Sequence, residues 1–262
     1  MAPIPKMTTP RRWKTFPAGT AFLAGIGLLT LAAVFGEPAS GLIEARDCVF
    51  VLHGLGRSKN SMKTLEEALA GQGFRVVNID YPSTRFPVEF LADTVLDAVI
   101  RHHAPECRGR VHFVTHSLGG IVVRAYLKNH HPDNLGRVVM ISPPNQGTEL
   151  VDRLRKYPIF RAFGSPAGLQ MGTGPDSLPS KLGAVDFELG VIAGRKSINP
   201  FYSWLIPGPD DGVVAVGRTR VEGMKDFIVV PHSHTFIMKK KDVIDQVIHF
   251  LRNGAFRPGE IS

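Results

Sequence analysis

The most informative ten residues of the chain read Val111-His112-Phe113-Val114-Thr115-His116-Ser117-Leu118-Gly119-Gly120. Val111 to Val114 is a short apolar run of the kind a buried strand carries, and Leu118 opens a helix-like pattern that continues to about Asn129. A serine between a strand and a helix is the setting of a nucleophile elbow. The turn is strained, the hydroxyl stands clear of the sheet, and small neighbours let the chain close on itself. Gly119 fits that requirement. Thr115 stands where the usual G-x-S-x-G begins with Gly, so a side chain has to be accommodated where little room is expected. S-x-G-G alone is a common chance pattern; its flanks give it weight.

Outward from this point, apolar strand-like runs alternate with amphipathic helical patterns. Strands are expected at Cys48–Leu52, Phe74–Ile79, Val111–Val114, Val138–Ile141, Phe187–Ala193 and Phe227–Val230. Helices are expected from Asn60 or Ser61 to Ala70, over 88–103 with Phe90, Leu91, Val95, Leu96, Val99 and Ile100 on one face, over 118–129, near 148–156, and over 242–253. Alternation of this kind predicts an α/β domain with about six mostly parallel strands and helices on both faces.

Two further segments carry chemistry. His53-Gly54-Leu55-Gly56 follows the first strand. An acyl-transfer site needs two backbone N–H groups aimed at the developing oxyanion. Leu118, the residue after the nucleophile, supplies one, and Leu55 is the best candidate for the other. His53 reads as a residue that shapes the loop. Ser142-Pro143-Pro144-Asn145-Gln146-Gly147-Thr148 follows the fourth strand and reads equally well as an ordinary Pro/Gly turn.

Together the H-G-L-G loop, the T-H-S-L-G-G elbow and the S-P-P-N-Q-G-T loop resemble the α/β-hydrolase superfamily, and within it the lipase-like serine esterases. The resemblance covers roughly residues 47–253 and implies a reduced α/β-hydrolase fold. It implies nucleophile, acid and base in that order along the chain, with Ser117 as nucleophile. The family's acid directly precedes a short apolar segment, which matches Asp211 before Gly212-Val213-Val214, with Asp210 as rival. The family's histidine lies in the loop after the last strand, which matches His234 before Thr235-Phe236-Ile237 better than His232. On this fold the first and third strands are neighbours, which brings Cys48 and Cys107 to the same end of the sheet. A disulfide is then feasible, and two unpaired thiols are the alternative. No metal site is read from two cysteines without CxxC or paired-His spacing. The activity implied is ester hydrolysis through a Ser-His-Asp triad and an acyl-enzyme, with no cofactor. An acyltransferase with the same triad and a non-catalytic membrane-anchored binding protein are the alternatives, and amide hydrolysis stays open.

Composition agrees with a globular chain that has a packed core. The chain has 262 residues, 44% hydrophobic and 21% charged, with a formal net charge of +8. The first 40 residues hold Lys6, Arg11, Arg12, Lys14 and Glu37 and account for +3 of this charge, leaving +5 for residues 41–262. No basic stripe interleaved with aromatics is present, so nucleic acid is not an expected partner. Lys239, Lys240 and Lys241 read as the solvated start of the last helix. Residues 15–36 carry no charge. Gly19–Gly36 would span roughly 27 Å as a hydrophobic helix, close to a bilayer core of about 30 Å. Residues 1–40 therefore read as a membrane anchor or a cleaved signal segment, and either reading exports residues 41–262. A small cap-like insertion is expected near 158–185. Phe160, Phe163, Leu169, Met171, Leu178 and Leu182 there belong either to an acyl pocket or to the core. Small-molecule or lipid esters are the expected substrates.

Overall fold

The alternating character of the strands decides how the layers assemble. A computed structural model of the chain describes residues 46–258, apart from the side chains of Arg161 and Phe163. The expected N-terminal hydrophobic helix within residues 1–40 lies outside the described residues. Among the described residues, no helix is long and apolar enough to cross a membrane. Six strands among the described residues form the sheet: β1 (Cys48–Leu52), β2 (Arg75–Ile79), β3 (Val111–His116), β4 (Leu135–Ile141), β5 (Leu189–Gly194) and β6 (Asp226–Val230). Their order is β2-β1-β3-β4-β5-β6, and every pairing is parallel.

Successive strand residues point to opposite faces, so a strand buried on both sides supplies two cores. Phe50, Phe113, Met140 and Val191 face one side. There they pack beneath α2 (Val88–Phe90), α3 (Asp97–His103) and α4 (Leu118–Asn129). Val49, Val51, Val114, Val139 and Ile192 face the other side. They meet Leu65 and Leu69 of α1 (Lys63–Gly71) and Val243, Val247 and Phe250 of α10 (Lys241–Asn253). Each fully buried Leu, Val or Phe stabilises the fold by about 1.5–3 kcal/mol relative to exposure.

Besides shifts of one or two residues at the ends of strands such as β2 and β5, two elements depart from expectation. The helix over 88–103 is not uniformly α-helical: Leu91–Leu96, between α2 and α3, winds as a π-helix. The wider turn changes which side chains share a face. Leu91, Leu96 and Ile100 are buried, whereas Phe90 is exposed and packs on Phe86 at 4.4 Å between ring centroids. Strand β4 begins at Leu135 rather than Val138, and its register with β3 shifts between Val111 and Phe113.

Between β4 and β5 the chain forms four short helices: α5 (Glu149–Leu154), α6 (Pro158–Phe163), α7 (Pro166–Leu169) and α8 (Leu178–Leu182). A fifth, α9 (Pro200–Leu205), follows β5. Pro158, Pro166 and Pro200 open three of them, at the position where the missing N–H costs nothing.

Cys48 and Cys107 are joined by a disulfide, with Cα atoms 5.5 Å apart. Cys48 begins β1 and Cys107 precedes β3, so the bond lies at the N-terminal edge of the sheet. It closes a separation of 59 residues. On the chain-entropy model such a crosslink stabilises by about 4 kcal/mol. The variant carrying Cys48→Ala and Cys107→Ala should therefore unfold at a clearly lower urea concentration than the oxidised parent. Coincident urea transitions would contradict that expectation.

Candidate active site

In an all-parallel sheet every strand ends on the same edge, and ligand sites form in the loops beyond it. Here the loops after β1, β3, β4, β5 and β6 meet. Ser117 occupies the turn between β3 and α4 with φ 53° and ψ −123°. A non-glycine residue in that region is strained by roughly 1–3 kcal/mol and persists only when its surroundings hold it. The Ser117 N–H donates to the Ile141 carbonyl at 2.9 Å, and the Gly120 N–H donates to the Ser117 carbonyl at 3.0 Å. The elbow also packs against the β1 loop. A Cβ at Gly119 would lie 2.9 Å from the carbonyl oxygens of both Leu52 and His53. The room for Thr115 comes from Gly120, where a Cβ would stand 3.3 Å from Thr115 Oγ1.

Ser117, His234 and Asp211 converge. Ser117 Oγ is 2.9 Å from His234 Nε2, and His234 Nδ1 is 2.8 Å from Asp211 Oδ2. An ionised carboxylate only accepts, so Nδ1 carries the imidazole hydrogen and Nε2 is left to accept from Ser117. The other Asp211 oxygen accepts from the N–H groups of Val213 and Val214 at 3.0 and 2.9 Å. The His234 N–H donates to the Asp211 carbonyl at 2.9 Å. Burial pushes the Asp211 carboxyl up. The charge and hydrogen bond of His234, the Val214 N–H and nearby Ser142 outweigh it and hold the group below its ordinary value. The rival residues have other partners. Asp210 accepts from Ser203 Oγ of α9 at 2.8 Å and from the Gly212 N–H at 2.7 Å. His232 lies 2.7 Å from Asp242 at the start of α10.

Leu55 and Leu118 border the same cavity as Ser117. Leu118 opens α4, so its N–H has no partner within the helix. The loop carrying Leu55 is held by His53, which is fully buried. Its Nδ1–H donates to the Gly54 carbonyl at 2.8 Å, its ring stacks on Tyr81 at 4.3 Å, and Tyr81 OH donates to the His53 carbonyl at 2.6 Å. Burial lowers the His53 pKa despite the Gly54 carbonyl and Asp80, which keeps it neutral.

Three residues without a role in the sequence reading also shape the site. His116 ends β3, with its ring 4.8 Å from that of His234. Its Nε2–H donates to the His234 carbonyl at 3.0 Å, and its buried Nδ1 has no partner among the described residues. Burial, followed by the charge of His234, pushes its pKa well down and favours its neutral form. Ser142, directly after β4, also has a positive φ, 49°. Arg124 of α4 is buried without a carboxylate partner among the described residues. It donates to the Asn145 and Gly183 carbonyls at 2.8 and 2.5 Å, tying the loop after β4 to the end of α8. Burial lowers its pKa to about 10. His116 sits inside the elbow motif, which was the available signal; Arg124 carried none.

The cavity at Ser117 has a volume of about 370 Å³. Leu118, Val151, Leu154, Phe160, Leu169 and Met171 make its walls predominantly apolar. Leu178 and Leu182 pack against the core instead, and the side chain of Phe163 lies outside the described residues. Among the described residues, no group of three or more His, Cys, Asp or Glu side chains is placed to hold a metal ion.

The model of the "Alpha/beta hydrolase family" matches residues 49–236. A search of curated proteins finds no match to this chain. Among solved structures, the chain resembles the mature lipase BlEst2 of Bacillus licheniformis with a TM-score of 0.62 at 19% identity, covering 78% of this chain and 91% of that one. It resembles the phospholipase PlaB of Legionella pneumophila with a TM-score of 0.59 at 19% identity, covering 78% and 57% of the two chains. A thermophilic esterase from Thermogutta terrifontis gives a TM-score of 0.53 at 18% identity, covering 79% and 90%. At these identities the likeness is one of fold.

The depressed Asp211 pKa has a consequence for acid stability. A carboxyl lowered on folding contributes stability that is complete above its unfolded pKa of about 3.9 and disappears as pH falls through the folded value. The stability gap between the parent and Asp211→Asn should therefore stay full from neutrality down to about pH 4 and narrow as pH falls below it. Urea unfolding across pH 3–7 tests this, and a gap independent of pH would contradict the assignment.

Proposed function

The chain belongs to the alpha/beta hydrolase family, and from that premise we propose that it is a serine hydrolase cleaving carboxylic esters. Ser117 is the nucleophile, His234 the general base and Asp211 the group that orients it. The observation that carries this reading is the unbroken line of hydrogen bonds, 2.9 Å from Ser117 to His234 and 2.8 Å from His234 to Asp211, opening onto an apolar cavity.

In the proposed mechanism, His234 Nε2 takes the hydroxyl proton as Ser117 Oγ attacks the ester carbonyl. The N–H groups of Leu55 and Leu118 receive the oxyanion. Collapse of this intermediate breaks the bond to the alcohol oxygen, which takes its proton from His234. An acyl group remains on Ser117. Water, deprotonated by His234, then attacks the acyl-enzyme and releases the acid. Asp211, ionised throughout, fixes the imidazole tautomer and balances the imidazolium charge. His53 and His116 position the oxyanion loop and the His234 backbone and exchange no proton with substrate.

The apolar walls favour an acyl chain over a charged or sugar-like group in the cavity. Lipase and phospholipase are the names of two structural neighbours, which favours lipid esters as the substrate class. The basic and then uncharged run of residues 1–36, together with the Cys48–Cys107 disulfide, supports an exported domain held at or released from a membrane.

Ser117→Ala should reduce turnover of p-nitrophenyl esters by at least about a thousandfold while leaving the circular dichroism spectrum unchanged. Turnover near the parent level would end the proposal. Product analysis with and without an added alcohol distinguishes hydrolysis from acyl transfer: free acid as the main product in both is the outcome expected.

A further inference from the structure

The most exposed large apolar side chains are concentrated around the mouth of the cavity. Trp204 is 79% exposed, Ile159 70%, Tyr157 and Phe201 61%, Ile198 60% and Phe236 48%. All six lie on three segments that border the site. Tyr157 caps and Ile159 lies in the first turn of α6, which contributes Phe160 to the cavity wall. Ile198 lines a groove that also contains Asp211, Val213, His234 and Thr235, and Phe201 and Trp204 extend from it along α9. Phe236 follows Thr235 directly. Helix α9 is tied to the site because Ser203 donates to Asp210, beside Asp211. Its inner residues Tyr202 and Leu205 pack with Leu150 and Leu154 of α5. The outward side chains are therefore not core residues displaced by poor packing. Six such side chains on segments bordering one site differ from the singly scattered apolar groups that a monomer's surface ordinarily carries.

Charge selects what covers this face. Segments 153–164, 195–206 and 235–241 contain no Asp or Glu. They do contain Arg153, Arg155, Lys156, Arg195, Lys196, Lys239 and Lys240, all exposed. The basic cluster at 239–241, which the catalytic scheme leaves unused, falls within five residues of Phe236. Tryptophan, tyrosine and large aliphatic groups interleaved with lysine and arginine suit the boundary of an anionic bilayer. The rings enter the headgroup region and the cations remain among the phosphates.

We propose that the rim formed by the α5–α6 segment, α9 and the Phe236 turn docks the catalytic domain on an anionic lipid surface, with the cavity mouth facing the bilayer. In this orientation an acyl chain passes from the lipid to Ser117 without crossing water. The docking uses residues 153–241 and is separate from any contact made by residues 1–45. The docking stands on the exposed rim alone, whereas its use in delivering an ester rests on the hydrolase reading.

The chain has two tryptophans, Trp13 and Trp204. In full-length protein carrying Trp13→Phe, Trp204 is the sole tryptophan and reports on the rim whatever residues 1–45 do. Adding phosphatidylglycerol vesicles should move its emission to shorter wavelength, and phosphatidylglycerol with brominated acyl chains should quench it. Phosphatidylcholine vesicles should do markedly less. Adding Ile159→Ser and Phe201→Ser should raise the lipid concentration for half the spectral change by at least about tenfold. Turnover of a water-soluble short-chain ester should not change. Trp204 emission unaltered and unquenched on vesicle-bound protein would overturn the proposal. So would a blue shift that depends on protein concentration without lipid, which would assign the face to a second copy. Failure of the hydrolase reading would appear separately, as absence of ester turnover with the lipid-dependent shift intact.

Discussion

The site depends on one strained residue being held. Ser117 lies in a backbone conformation that L-residues avoid, and the neighbouring structure bears a cost of roughly 1–3 kcal/mol to keep it there. Its N–H is drawn onto the end of β4, and α4 starts at once, so its hydroxyl points beyond the edge of the sheet. Gly119 lets the β1 loop come against the elbow, and Gly120 leaves space for Thr115. Strand order places β1 and β4 on either side of β3, so the loops after them flank the elbow, while the loops after β5 and β6 bring Asp211 and His234 to it.

Around this residue the buried polar groups divide into two kinds. Asp211 keeps its charge inside the protein because an imidazole and two backbone N–H groups face it. A buried carboxylate without such partners would instead be pushed towards its neutral form. His53 and His116 are driven to neutrality by burial, and each uses one ring N–H to hold a backbone carbonyl of the site. The structure thus concentrates ionised character on one carboxylate and leaves its histidine the only one of the three with a free route to the serine hydroxyl. Arg124 remains cationic behind the site and is satisfied by carbonyl oxygens rather than by an acid.

The layered core and the elbow were legible in the sequence because both are local. A strand buried on two faces is an uninterrupted apolar run, as in Cys48–Leu52, and a serine between such a run and a helix has few other readings. Asp211 stands apart from Asp210 in the sequence only through the family resemblance, because the N–H groups of Val213 and Val214 that face Asp211, and that of Gly212 that faces Asp210, leave no side-chain signature. The π-helical winding at Leu91–Leu96 was hidden because its apolar spacing is close to that of an α-helix. Helices α6 to α9 are four to six residues long, too short for a 3.6-residue period to emerge. Arg124 could not be read at all, since its partners lie 21 to 59 residues away and, apart from the Asn145 side-chain oxygen, are backbone carbonyls without a side-chain signature.

The central claim is that the Ser117 oxygen becomes covalently acylated during turnover. Rapid mixing with a p-nitrophenyl ester, acid quenching and mass analysis of the proteolysed protein test it most directly. The account predicts an added acyl mass confined to the peptide containing Ser117, rising with the burst of p-nitrophenol and falling as substrate is exhausted. Turnover accompanied by an acyl group on another residue, or by none under conditions where a burst is seen, would contradict it.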